Sequence, residues 1–161
     1  MAVILSIRLT RSLAERLKRE ARKTGLSLEG YILELALQGL DPKERAREYI
    51  EAAKFLLEQV REELARGDVR QAAEKAWGAA ALAVKAYAAR REGKRLTSHG
   101  ELWEYKRRME RELGGWVHDA WANATEMHIC FYESWCIKGD VEEAIKRIEK
   151  LVNEVEKKVK S

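Results

Sequence analysis

The sequence predicts an all-α protein: an up-and-down bundle of about five helices over residues 41–161, preceded by a short strand-helix-helix arm over residues 1–40. Three observations predict it. The composition, 46% hydrophobic and 36% charged with one proline, is the Ala, Glu, Lys, Arg and Leu mixture of helical proteins. Glycines able to close a helix in the left-handed conformation are repeatedly followed by N-capping residues. Between these points apolar residues recur at three- and four-residue spacing, as one-faced burial requires.

The elements follow in order. Val3, Leu5, Ile7 and Leu9 alternate with Ala2, Ile4, Ser6 and Arg8, the period of a half-buried strand. A helix over about 11–24 is stopped by Gly25, and another is expected over 27–38. Gly39 then precedes Asp41-Pro42-Lys43-Glu44, which offers a cap, a first-turn proline and an acidic third position. Gly67 and Asp68 repeat the arrangement, as do Ser98 to Glu101 and Asp140 to Glu143. The implied bundle helices are 42–66, 68–92, 98–113, 116–137 and 140–159. The first carries Ala46, Tyr49, Ile50, Ala53, Leu56, Leu57, Val60 and Leu64 on one face; the last carries Val141, Ala144, Ile145, Ile148, Leu151, Val152, Val155 and Val159. The 68–92 helix is so rich in alanine that neighbouring backbones can approach it on several sides, which places it centrally.

The strand, helix, helix order of residues 1–40 resembles the ribbon-helix-helix module of small DNA-binding repressors. The residues that carry the likeness are Leu5-Ser6-Ile7-Arg8-Leu9, then Leu13, Leu17 and Ala21, then Gly25-Leu26-Ser27 and Ile32. In that module two chains pair their strands, because a lone strand cannot satisfy its own edges. The resemblance therefore implies a homodimer. The solvent face of the ribbon would be Ala2, Ile4, Ser6 and Arg8, of which Ser6 and Arg8 alone can hydrogen-bond to bases. This favours a dimerisation or docking module, with a DNA-binding regulator as the alternative.

Charge is unevenly spread. The net +4 divides into +3 over residues 1–40, −1 over 41–84, +5 over 85–111 and −3 over 112–161. The basic zones around Arg11 to Lys23 and Lys85 to Arg111 can meet phosphate or serve as solvated helix surface. No apolar run approaches a membrane span, and Ala2-Val3-Ile4-Leu5 is too short for a signal peptide, so a cytoplasmic protein without a membrane partner is expected. Only five Asn and Gln residues stand beside abundant Lys, Arg and Glu, a composition that suits a thermophile. Cys130 and Cys136, six residues apart on what reads as one helix, point about 120° apart, and no disulfide is expected between them.

From Pro42 onward, the segment from Gly67 to Trp77, Ser98-His99-Gly100-Glu101-Leu102-Trp103, the segment from His128 to Trp135 and the closing amphipathic helix stand out. In these the chain is similar to the archaeal PaREP family, whose helical domain is grouped with the HEPN superfamily of nucleotide-binding bundles. Active HEPN ribonucleases cut RNA without a metal, using an arginine and a histidine four to six residues apart. Arg111 and His118, with six residues between them, stand where that pair belongs. Histidine exchanges a proton near neutral pH, and arginine stabilises charge on phosphoryl oxygens.

Other residues offer binding chemistry. Arg90, Arg91, Lys94, Arg95, Lys106, Arg107, Arg108 and Arg111 cluster in the second basic zone, and His99 follows the cap Ser98 at a helix start where free N–H groups favour anions. Trp116, Trp121, His128, Phe131, Tyr132 and Trp135 share one segment. Val117, Ala120, Trp121, Ala124, His128, Phe131 and Trp135 read as one buried helix face, with base stacking as the functional reading of its aromatic members. His128, Cys130 and Cys136 lack the paired spacing of a zinc site, so neither metal nor cofactor is expected. The sequence thus points to a non-enzymatic, homodimeric RNA- or protein-binding module, with RNA ahead of DNA. The alternatives are a metal-independent ribonuclease acting through Arg111 and His118, and a ribbon-helix-helix regulator.

Overall fold

Capping side chains decide where most helices of this chain begin. The computed structural model describes residues 3–161, and seven helices run through them: α1 Arg11–Lys23, α2 Leu28–Ala36, α3 Pro42–Ala65, α4 Val69–Glu92, α5 His99–Leu113, α6 Trp116–Glu133 and α7 Lys138–Lys160. Asp41 accepts the N–H groups of Lys43 and Glu44 at 2.9 and 3.2 Å, Asp68 that of Gln71 at 3.1 Å, and Ser98 that of Glu101 at 3.2 Å. Backbone donors, first that of Glu44, hold the Asp41 carboxyl below its usual value. Thr10 and Ser27 cap α1 and α2 in the same way.

The chain divides after Leu40 into two compact units. In the first, α1 and α2 pack on each other, and of its apolar residues only Ala21 and Leu37 are buried. No strand forms among the described residues, which corrects the expectation for residues 3–9. The segment 3–10 has no regular structure, and Val3, Ile4, Leu5 and Ile7 are 71 to 94% exposed. A strand is held by hydrogen bonds to a neighbour, and the single chain supplies none here. Ser6 and Arg8 are exposed in this segment, while Ala2 lies outside the described residues.

In the second unit α4 touches each of the other four helices. Its alanines make this possible: Ala72, Ala73, Ala76, Ala79, Ala80, Ala83, Ala86, Ala88 and Ala89 are wholly buried, and a Cβ added at Gly78 would sit 3.0 Å from Leu56 of α3. Helices α3, α6 and α7 pack around this rod, and Lys75 of α4 pairs with the buried Glu63 of α3 at 2.8 Å. Helix α5 packs on α4 and α6 but not on α3 or α7. The groove between α5 and α6 therefore runs along the outside of the bundle. Among the described residues no helix is long and apolar enough to cross a membrane.

The 116–137 helix ends early, and two expectations change with it. Ser134 adopts a left-handed conformation with φ 59°, its N–H donating to the Cys130 carbonyl at 2.7 Å, so the chain turns back after Glu133. That turn brings Cys136 to Cys130, and the two form a disulfide with Cα atoms 5.7 Å apart. Closing a loop of six residues stabilises the fold by about 2 kcal/mol in the chain-entropy description. The buried face of α6 is completed by Met127 and Cys130 instead of Phe131 and Trp135, and Trp135 is 48% exposed. Helix α7 starts at Lys138, which puts Asp140 third in the helix, where its carboxylate accepts the Ile137 N–H at 2.9 Å.

Candidate phosphate-binding cleft

Five residues of α5 at spacings of three, one, three and one share a helix face: Trp103, Lys106, Arg107, Glu110 and Arg111. They form one wall of an open cleft of about 610 Å³ whose opposite side is Gly115 and His118 at the start of α6. Gly114, with φ 118°, makes the sharp link between the two helices, a conformation that favours glycine. The His118 N–H then donates to the Gly115 carbonyl at 3.0 Å, setting the histidine in the first turn of α6. The six-residue separation of Arg111 and His118 thus places both at one cleft. Glu112, between them in sequence, faces away from it and accepts hydrogen bonds from Tyr87 and Arg108.

Lys106 is the organising charge. It is 2% exposed, and its Nζ lies 3.2 Å from Glu110 Oε2 and 3.0 Å from His118 Nδ1. It also stands 5.2 Å from the centre of the Trp103 ring, a cation–π contact. A lysine ammonium has donors only, so His118 Nδ1 must accept and the ring proton of neutral His118 sits on Nε2. The cleft therefore gains a fixed N–H donor. Glu110 offsets Lys106, whereas Arg107 and Arg111 are exposed and make no ion pair among the described residues. Two uncompensated guanidiniums and an imidazole N–H converge on one concave surface, the donor set that a phosphodiester requires.

The other expected basic residues lie elsewhere. Arg108 pairs with Glu92 and Glu112, which raises its already high pKa, and Arg91 lies 3.6 Å from Glu112. Both carboxyls are lowered, Glu92 chiefly by its hydrogen bond from Arg108 and Glu112 chiefly by its hydrogen bond from Tyr87. Arg90 donates to the Ser161 carbonyl at 2.7 Å. Arg90 and Arg91 line a separate cleft with Tyr87, whose hydroxyl is pushed up to about 12 by burial. Lys94 and Arg95 belong to the loop between α4 and α5. At the start of α5 a carboxylate already stands, because Glu101 accepts the N–H groups of Thr97 and Ser98 at 2.6 and 3.1 Å and donates its own N–H to Ser98 Oγ. His99 instead lays its ring on Trp77, centres 5.5 Å apart and 6° from parallel. Burial, and then the nearby His128, hold it below its usual pKa.

The cluster around Trp77 combines residues remote in sequence. His128 stacks on Trp77 at 4.9 Å, and its Nδ1 lies 3.0 Å from Glu74 Oε2. Cys130 and Cys136 are unavailable as thiolates, being bonded to each other. Sequence reasoning missed Lys106 as a buried residue and Trp103 and Glu110 as cleft residues. The signal was present in their spacing with Arg107 and Arg111, although only the fold shows which face of α5 meets α6.

Residues 48–152 match the family model described as the archaeal PaREP1/PaREP8 family, a span that contains the whole cleft. No curated protein and no solved structure matches the chain.

The fixed tautomer can be read directly. Nitrogen NMR of neutral His118 should show a protonated Nε2 and an unprotonated Nδ1, and Lys106→Met should release the ring into a mixture of tautomers. A predominant Nδ1–H form in the unaltered protein would contradict this arrangement.

Proposed function

Because the chain belongs to the archaeal PaREP1/PaREP8 family, and its cleft lies inside the matched span, we propose that it is a non-enzymatic RNA-binding module with a HEPN-like bundle, which grips the phosphate backbone between α5 and α6. One observation carries the reading: Arg107, Arg111 and His118 line a single concave surface, and Glu110 is engaged with Lys106. Guanidiniums bind phosphate oxygens in paired hydrogen bonds, and the Nε2–H of His118 adds a third donor.

Cleavage is the second reading, favoured by Arg111 and His118 meeting at that cleft as the active HEPN pattern requires. A ribose 2′-hydroxyl would attack phosphorus, losing its proton to water, as the bond to the 5′-oxygen breaks, leaving a 2′,3′-cyclic phosphate and a 5′-hydroxyl. Arg111 would stabilise the phosphoryl charge, and the Nε2–H of His118 would hydrogen-bond the leaving oxygen as it takes its proton from water. DNA regulation receives less support, since of the expected reading face only Ser6 and Arg8 can hydrogen-bond to bases.

The protein also acts as a homodimer on this proposal. The support is the first unit, which buries two apolar residues while leaving Leu13, Ile32 and Leu35 exposed beside the apolar segment 3–9. A unit of about forty residues rarely stabilises itself without a partner or cross-link. A second copy supplies the same apolar surface.

Three measurements test this. For a single-stranded RNA, replacing Arg107 and Arg111 with alanine should weaken binding and lower the salt slope of log affinity by about 1.4, near 0.7 per lost phosphate contact; an unchanged slope would exclude the cleft. The same RNA in EDTA separates the two readings, since cleavage abolished by His118→Ala would establish the ribonuclease. Light scattering should report twice the chain mass, and truncation to Asp41 should weaken the association; a monomer at all concentrations would refute the pairing.

A further inference from the structure

Aromatic rings continue along α5 and α6 beyond the cationic cleft. His99 lies twelve positions before Arg111 on α5, about 18 Å along the helix. Rings connect the two ends: Trp103 of the cleft meets Trp121 edge-on at 5.8 Å, Trp121 lies 5.0 Å from Trp77, and Trp77 carries both His99 and His128. At the far end Tyr132 stands on His128 at 85°, ring centres 5.2 Å apart, and His99 lies 5.4 Å from His128.

These three rings form a notch. His128, 20% exposed at its side chain and held by Glu74, is the floor; His99 and Tyr132 are the sides. Tyr132 is 70% exposed although a packed aromatic cluster lies directly beneath it, so a flat face and a flat edge are both offered to solvent. A planar, polar-edged ring fits such a notch better than an aliphatic chain does, because stacking uses the ring faces and the histidine nitrogens meet polar edges.

We infer that His99, His128 and Tyr132 form a stacking subsite for an unpaired nucleobase of the same RNA whose backbone the cleft holds. The inference rests on the cleft reading and gives the ligand its class: single-stranded RNA running along the α5–α6 groove. Duplex RNA cannot use the notch, since its bases are stacked and paired.

The test uses the full chain, an unstructured RNA of about eight nucleotides and a blunt duplex containing the same sequence. The single strand should bind at least about tenfold more tightly than the duplex, Tyr132→Ala should lose about tenfold for the single strand, and Tyr132→Phe should restore it. Thermal unfolding of the variants should match the unaltered protein, as expected for so exposed a side chain. Equal binding of strand and duplex, or Tyr132→Ala binding as tightly as the unaltered protein, would overturn the subsite. If Arg107→Ala with Arg111→Ala abolishes binding while Tyr132→Ala does not, the subsite alone fails and the cleft stands. No binding of the octamer by the unaltered protein would overturn both.

Discussion

The close approach of backbones to α4 is the constraint on which the second unit depends. A central helix that touches four neighbours must present little side-chain volume in several directions, and α4 meets this with alanine at nine wholly buried positions and glycine at position 78. Burial of methyl groups stabilises each contact only slightly, but the interfaces are numerous and closely packed. Larger residues there would push helices apart and shift every groove between them. The position of α5 follows from this, because it rests on α4 and α6 alone and leaves the cleft between Trp103 and His118 open.

Chemistry in that groove depends on a charge that is costly to bury. Lys106 is nearly inaccessible, and an unpaired ammonium there would be strongly unfavourable. Glu110, His118 and the Trp103 face satisfy it. The same arrangement orients His118 and uses the one carboxylate of the cleft internally, so Arg107 and Arg111 are left for an anion. Ion pairs remove Arg91 and Arg108 from that role even though they belong to the same basic stretch of sequence. Net charge along a sequence therefore overstates what is available to a ligand.

Much of the helical frame was legible because its signals are local. Asp41, Asp68 and Ser98 cap their helices as their positions after glycine or before an acidic residue implied, and the apolar stripe of α7 is buried as spaced. Signals that depend on a partner were not. Alternation in residues 3–9 marks a segment fit for pairing, but whether it pairs is decided by another chain. The left-handed turn at Ser134 has no glycine to announce it, so the early end of α6 and the Cys130–Cys136 disulfide were both invisible. The arginine and histidine of the cleft were found through the resemblance to the active HEPN pattern, whereas Lys106 appeared as one more surface cation until its burial between α5 and α6 was seen. The His99 notch requires α4, α5 and α6 together, and no sequence window contains all three.

The central claim is that RNA lies against the α5–α6 cleft. Photocrosslinking with an RNA carrying 4-thiouridine, followed by mass spectrometry of the digested complex, tests it most directly. The account predicts crosslinked peptides from Trp103–Arg111 and from the start of α6 around His118. Crosslinks confined to the loop around Lys94 and Arg95, or to the segment around Ser6 and Arg8, would contradict it.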